Sequence, residues 1–170
     1  MITAQRPTTH HPVPRIAAWV QPELVLLDIE ARDRFHALEI AAVAAARSRD
    51  LDPAPWLRAL WRREHVGSTA LGSAVAIPHA QVAGITEPMT VYVRFRSPVD
   101  FDAPDGEPVA HLLVILVPPD DAREDHLQLL AVVASLFSVS DFRERLLRAP
   151  TGAAVANVFS EGIEHAVSAA

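Results

Sequence analysis

The chain has no cysteine. That excludes disulfides, a thiolate nucleophile, thiolate-bound zinc and iron–sulfur clusters. It has no lysine either: all 15 basic residues are arginine. P-loop chemistry, Schiff-base chemistry and a serine–lysine dyad fall with it. A basic excess is also missing. The net charge is −6, which argues against nucleic acid as a partner. Long apolar runs are absent as well. The longest, such as Leu112–Val117 and Leu127–Leu136, fall short of the ~20 residues that span a bilayer, so no direct membrane insertion is expected. Met1 to Arg15 is polar and interrupted by proline, with no apolar stretch of the signal type. The expected location is the cytoplasm.

What is present suits one folded unit. The chain has 170 residues, half of them hydrophobic, enough to bury a core without a covalent or metal staple. Residues 1–14 are rich in Thr, His and Pro and read as a flexible tail, with the domain over 15–170. His10 and His11 lie in that tail with no further ligand at metal spacing, so no metal site is assigned.

Along the chain, helical and strand signals alternate. A short helix is expected from Arg15 to Val20 and a strand over Glu23–Ile29. Asp33 is a helix N-cap, with Phe35, Leu38, Ile40, Ala41, Ala42 and Ala45 as the apolar stripe. Asp52-Pro53 starts the next helix, which turns Trp56, Leu57, Leu60 and Trp61 inward and stops at Gly67. Ala74–Ile77 is a short strand closed by Pro78. Met89–Arg96 alternates like a half-buried strand with Val91, Val93 and Phe95 on one face. His111–Val117 is apolar throughout, as in a strand buried on both faces. Asp120 or Asp121 caps a long helix with Leu127, Leu130, Ala131, Ala134 and Phe137 as its buried face. Ser140 and Thr151 cap the last two helices. The class is α/β: a single domain with helices enough to cover both faces of a sheet.

With Cys and Lys gone, chemistry rests on His, carboxylates, Ser/Thr and Arg. A serine–histidine–acid set can be assembled from Ser68 or Ser73, His79 and a carboxylate, as in most chains. His79 stands out because it leaves a short strand at its C-terminal end, where α/β proteins place their sites. A strand-end histidine bonded to backbone fits the same position. His126 opens the helix after the strand 111–117, an equivalent location. If the two strands run parallel as neighbours, the imidazoles converge. A solvated first-turn residue is the other account of His126. Arg63 is either an anion clamp beside the Gly67 loop or an exposed helix-end cation. His111 and His165 read as structural or exposed.

The string R-E-H-V-G-S-T-A-L-G-S-A-V-A-I-P-H-A, Arg63 to Ala80, resembles the active-site segment of phosphotransferase-system enzyme IIA proteins. The resemblance is to the fructose/mannitol class and, within it, the nitrogen-regulatory IIA proteins. F-D-A-P-D-G-E-P-V (Phe101 to Val109), the following apolar strand and H-L at His126 extend it over roughly residues 16 to 160. The resemblance implies a mixed sheet of about five strands with helices on both faces. It implies that His79 accepts a phosphoryl group from an HPr-like phosphocarrier protein, that His126 is its partner and that Arg63 lies near the pair. It also marks Ser68 and Thr69 as phosphate-binding. No cofactor is called for. Partners beyond the phosphocarrier are regulated proteins or a IIB protein. A sugar-specific IIA component and a binding module with little transfer remain as alternatives. The departures are Ala70, Ala74 and Ala80 where glycine is usual, and Ser73 where asparagine is common. Alanine tolerates positive φ less well, so a local difference in the loop is expected.

Overall fold

The computed structural model describes residues 18–120 and 123–169, the side chains of 123–125 excepted. The tail assigned to 1–14, most of the expected first helix and the Asp121 cap lie outside these residues.

Two helices form one outer layer. Asp33 caps α1 (Arg34–Arg47) by accepting the His36 N–H at 2.8 Å. Asp52 caps α2 (Pro53–Val66) by accepting the Ala54 N–H at 3.0 Å. Pro53 takes the first helical position, where a missing N–H does no harm. The buried side of α1 is Leu38 among five alanines, so α1 can lie close to α2 and the sheet.

The sheet has six strands: β1 (Val25–Ile29), β2 (Ala70–Gly72), β3 (Val75–Ala76), β4 (His79–Gln81), β5 (Met89–Val99) and β6 (Val109–Val117). Their order is β1–β5–β6–β3–β2, with β4 also paired to β6. β5 and β6 are antiparallel, whereas β1 on β5, and β3 and β4 on β6, run parallel. One strand more than expected appears because residues 70–81 make three short strands. In β6, Leu112, Val114 and Leu116 face the α1–α2 layer. Leu113, Ile115 and Val117 face the layer formed by α3 (Arg123–Ser138), α4 (Ser140–Arg148) and α5 (Gly152–Ser168). Among the described residues, no helix is long and apolar enough to cross a membrane.

Three expectations need correction. From Met89 to Phe95 β5 is buried on both faces, not half-buried; Arg96, Ser97 and Pro98 beyond it are exposed. Its buried polar residues are satisfied internally: Thr90 Oγ1 donates to the Trp19 carbonyl, Tyr92 bonds His111, and Arg94 donates to the Leu146 and Ala149 carbonyls. Polar alternation therefore did not mean contact with water. The buried face of α3 is Leu129, Val133, Leu136 and Phe137, and Leu127 is 57% exposed. This helix is apolar on several sides, so periodicity left its rotation open. Ser140 is the first residue of α4 and not its cap; Val139 holds the cap position without a side-chain bond.

Candidate functional site

Proline 78 has no N–H to give the ladder. The ladder to β6 is therefore one bond short at Pro78, whose carbonyl still accepts the Ile115 N–H at 2.9 Å, and the register continues unbroken, with Val75 opposite His111, Ala76 opposite Leu112 and His79 opposite Ile115. His79 begins β4; it does not end a strand, as the sequence suggested. The Ile77 carbonyl accepts the ring Nδ1–H of His79 at 2.9 Å. That bond fixes the tautomer and leaves the lone pair on Nε2. His79 is half-buried. Burial lowers its pKa from the usual histidine value, the Ile77 bond opposes this, and the charges of His126 and Arg63 lower it further. The ring is neutral at pH 7.

β4 runs parallel to β6, so His79 lies at the end of the sheet from which α3 departs. His126, in the first turns of α3, faces it there. The ring centroids are 5.2 Å apart, with the planes inclined by 55°. Both rings line an open groove of about 490 Å³ together with Arg62, Arg63 and Val66. The Nη1 of Arg63 donates to the Gly67 carbonyl at 2.9 Å, which steadies the guanidinium at the groove wall.

Ser68 and Thr69 are not brought to this groove. The Ser68 hydroxyl donates to the Phe101 carbonyl and accepts the Ala70 N–H at 3.1 Å. The Thr69 hydroxyl donates to Glu64 at 2.6 Å. Both oxygens hold the loop in shape through these bonds.

Sequence reasoning missed two residues. Glu64, 4% exposed, accepts the Thr69 N–H as well as its hydroxyl. It continues the buried stripe Trp56, Leu60, Glu64 of α2, and that helical phase was the available signal. Arg62 lines the groove together with Arg63 and was not singled out in the sequence.

The glycine replacements fall into two kinds. Ser73 and Ala74 both have left-handed backbone, φ 55° and 62°, between the paired Gly72 and Val75. This is the two-residue turn for which Asn-Gly is the favoured pair. The Asp105 carboxylate accepts the Ser73 N–H at 2.8 Å and steadies it. Ala70 and Ala80 lie in β2 and β4 without positive φ, so only Ala74 bears the expected strain.

Known proteins resemble this arrangement. Residues 19–162 match the family model described as phosphoenolpyruvate-dependent sugar phosphotransferase system, EIIA 2. A nitrogen regulatory protein of Pseudomonas aeruginosa is 37% identical over 83% of this chain and 92% of its own. A fructose-specific EIIA component of Haloferax volcanii is 36% identical over 84% and 92%. The crystal structure of nitrogen regulatory protein IIA-Ntr from Neisseria meningitidis superposes with a TM-score of 0.80 at 34% identity, covering 85% of this chain and 99% of that one. The chain belongs to the EIIA 2 family of the phosphoenolpyruvate-dependent sugar phosphotransferase system.

Proposed function

We propose that this chain is a cytoplasmic phosphohistidine carrier of the nitrogen-regulatory type, accepting its phosphoryl group on Nε2 of His79. The observation that carries this reading is the pair of imidazoles in the groove. One has Nδ1 tied to a carbonyl at 2.9 Å, and the other stands 5.2 Å away between centroids. A separation under about 6 Å lets one phosphoryl group reach both rings at hydrogen-bond distance.

The donor is a phosphohistidine of an HPr-type carrier. Its N–P bond breaks as the Nε2 lone pair of His79 forms the new one, and the electron pair returns to the donor ring. The Nδ1–H stays on Ile77, so His79 needs no proton transfer before it attacks. A nitrogen–phosphorus bond keeps the transfer potential that an ester would lose. The loose transition state needs positioning and charge more than covalent assistance. His126 hydrogen-bonds the phosphoryl oxygens, and Arg62 and Arg63 offset their charge.

The regulatory type is supported by relatives in both sequence and structure named nitrogen regulatory protein. With no cysteine, the chain holds no IIB-type acceptor of its own. Downstream partners are then proteins whose binding depends on the state of His79.

The test is incubation with labelled phosphoenolpyruvate, enzyme I and HPr. An acid-labile, base-stable label on the wild type and none on His79→Ala is expected. Equal labelling of both would move the acceptor elsewhere. No label on either would leave only a binding module.

A further inference from the structure

Glu64 sits in an uncommon position for a carboxylate. It is 4% exposed and accepts from the backbone and hydroxyl of Thr69. Among the described residues no cation pairs with it. A buried carboxylate without a counter-charge is costly. Glu64 lines a further cavity of about 180 Å³, distinct from the histidine groove. Arg34, Trp61, His65, Ser68 and Asp102 also line it. None of these six side chains lines the groove.

The lining has two poles and a flat wall. Glu64 and Asp102 supply negative charge, and Ser68 lines the cavity with them. The Arg34 guanidinium is held over the Trp61 ring, 5.9 Å from its centroid, and makes no ion pair among the described residues. Phe35 and His65 meet the indole edge-on at 5.0 and 4.8 Å, fixing its plane. Two carboxylates lining one cavity suit an ammonium group. A guanidinium with its fork unpaired suits a carboxylate. The volume lies well below the ~300–1,000 Å³ of drug-sized sites, which restricts the ligand to a small one.

We infer that this pocket binds a small zwitterion of the α-amino-acid class. The ammonium lies toward Glu64 and Asp102, the carboxylate on Arg34, and the side chain along Trp61. This goes beyond the phosphocarrier reading and does not depend on it.

The test is calorimetric titration of the full chain with glycine, L-serine, L-leucine and L-phenylalanine, which bracket side-chain size. Two half-ligands, 3-methylbutylamine and 4-methylpentanoate, each keep the leucine stem and lose one charge. At least one amino acid is expected to bind with a Kd of about 1 mM or tighter. Each half-ligand should bind leucine's site at least about tenfold more weakly if leucine is the tight one, and Arg34→Gln and Asp102→Asn should each weaken the amino acid about tenfold. Thermal melts of the two variants check that they fold. Either of three results overturns the inference: no saturable heat with any amino acid up to about 10 mM, an amine or acid alone binding as well as the zwitterion, or folded variants that bind as the wild type does. Since no phosphoryl transfer is measured, such a failure leaves the His79 labelling result untouched.

Discussion

Strand β6 touches two histidines, and the fold treats them in opposite ways. His111, near its start, is 2% exposed, and its Nδ1 is hydrogen-bonded to the Tyr92 hydroxyl at 2.7 Å. Burial, with help from the charges of Arg143 and Arg94, pushes its pKa down to about 4. Burial likewise raises the pKa of Tyr92. His79, opposite the far end of β6, is also lowered chiefly by burial, yet it keeps a face on the groove. A depressed pKa is therefore common to both and marks neither as reactive. What separates them is access: one ring is enclosed with Phe137 and Tyr92, and the other is held by one nitrogen with the second free.

Removing each ring in turn is the strongest way to break this contrast. His79→Ala should abolish phosphoryl acceptance and change stability by less than about 1 kcal/mol. His111→Ala should leave a cavity and strand the Tyr92 hydroxyl, costing about 3 kcal/mol, with acceptance retained in the folded fraction. Urea unfolding and phosphohistidine labelling on both variants decide it. A large stability loss at His79 with little at His111 would reverse the assignment.

Next in size is His126. As a hydrogen-bond donor to transferring oxygens, its loss in His126→Ala should slow labelling by about 10²–10³-fold with the label still on His79. Stopped-time labelling followed by peptide mapping reads both. An unchanged rate would reduce the ring pair to a packing contact.

The two sites also share a pH signature that separates stability from activity. Well above pH 6.5 both rings are neutral, folded or unfolded. Between pH 6.5 and about 4 the unfolded chain protonates at position 111 while the folded one resists. The unfolded state then binds more protons, so stability falls on acidification, by about 3 kcal/mol at pH 4. His79 adds to this loss in the same direction. Its acceptance of phosphoryl should hold down to a midpoint below pH 6.5, because its own pKa is lowered. Unfolding free energies and labelling rates over pH 4–8 test both statements. A rate midpoint above 6.5 would contradict the burial of the ring.

Much of this was open to sequence reading for definite reasons. Capping carboxylates and Pro53 set the starts of α1 and α2, since their chemistry is local. The I-P-H segment stood out because His79 directly follows the proline that closes a short apolar strand, although His79 in fact begins the next strand. The meeting of His79 with His126 required only that two strands be parallel neighbours, which β4 and β6 are. What stayed hidden depended on distant partners. Thr90, Tyr92 and Arg94 read as a wet face because their bonds lie 71, 19 and up to 55 residues away in the chain. That the Ser68 and Thr69 hydroxyls turn to Phe101 and Glu64 was hidden too, because nothing local shows it. The rotation of α3 was ambiguous because the helix is apolar on several sides.

The smallest effect belongs to the Ser73-Ala74 turn, which bonds the backbone of one histidine and leads along the chain to the other. Its Ala74 carbonyl accepts the Ala110 and His111 N–H groups at 2.9 and 3.0 Å, and its second strand leads to His79. A left-handed alanine costs about 1–2 kcal/mol, and part of the gain from glycine is offset by the entropy of a looser unfolded chain. Ala74→Gly should therefore raise stability by about 0.5–1 kcal/mol. The same exchange at Ala70 or Ala80, without positive φ, should lower stability by a comparable amount, so the pair of results isolates backbone strain from side-chain size. If the enclosed and the open histidine are independent, Ala74→Gly shifts the melting temperature and leaves the labelling rate of His79 unchanged. A labelling rate that moves with the turn would show that the phosphoryl site and the buried pair share one mechanical element, and the separation drawn between them would have to be given up.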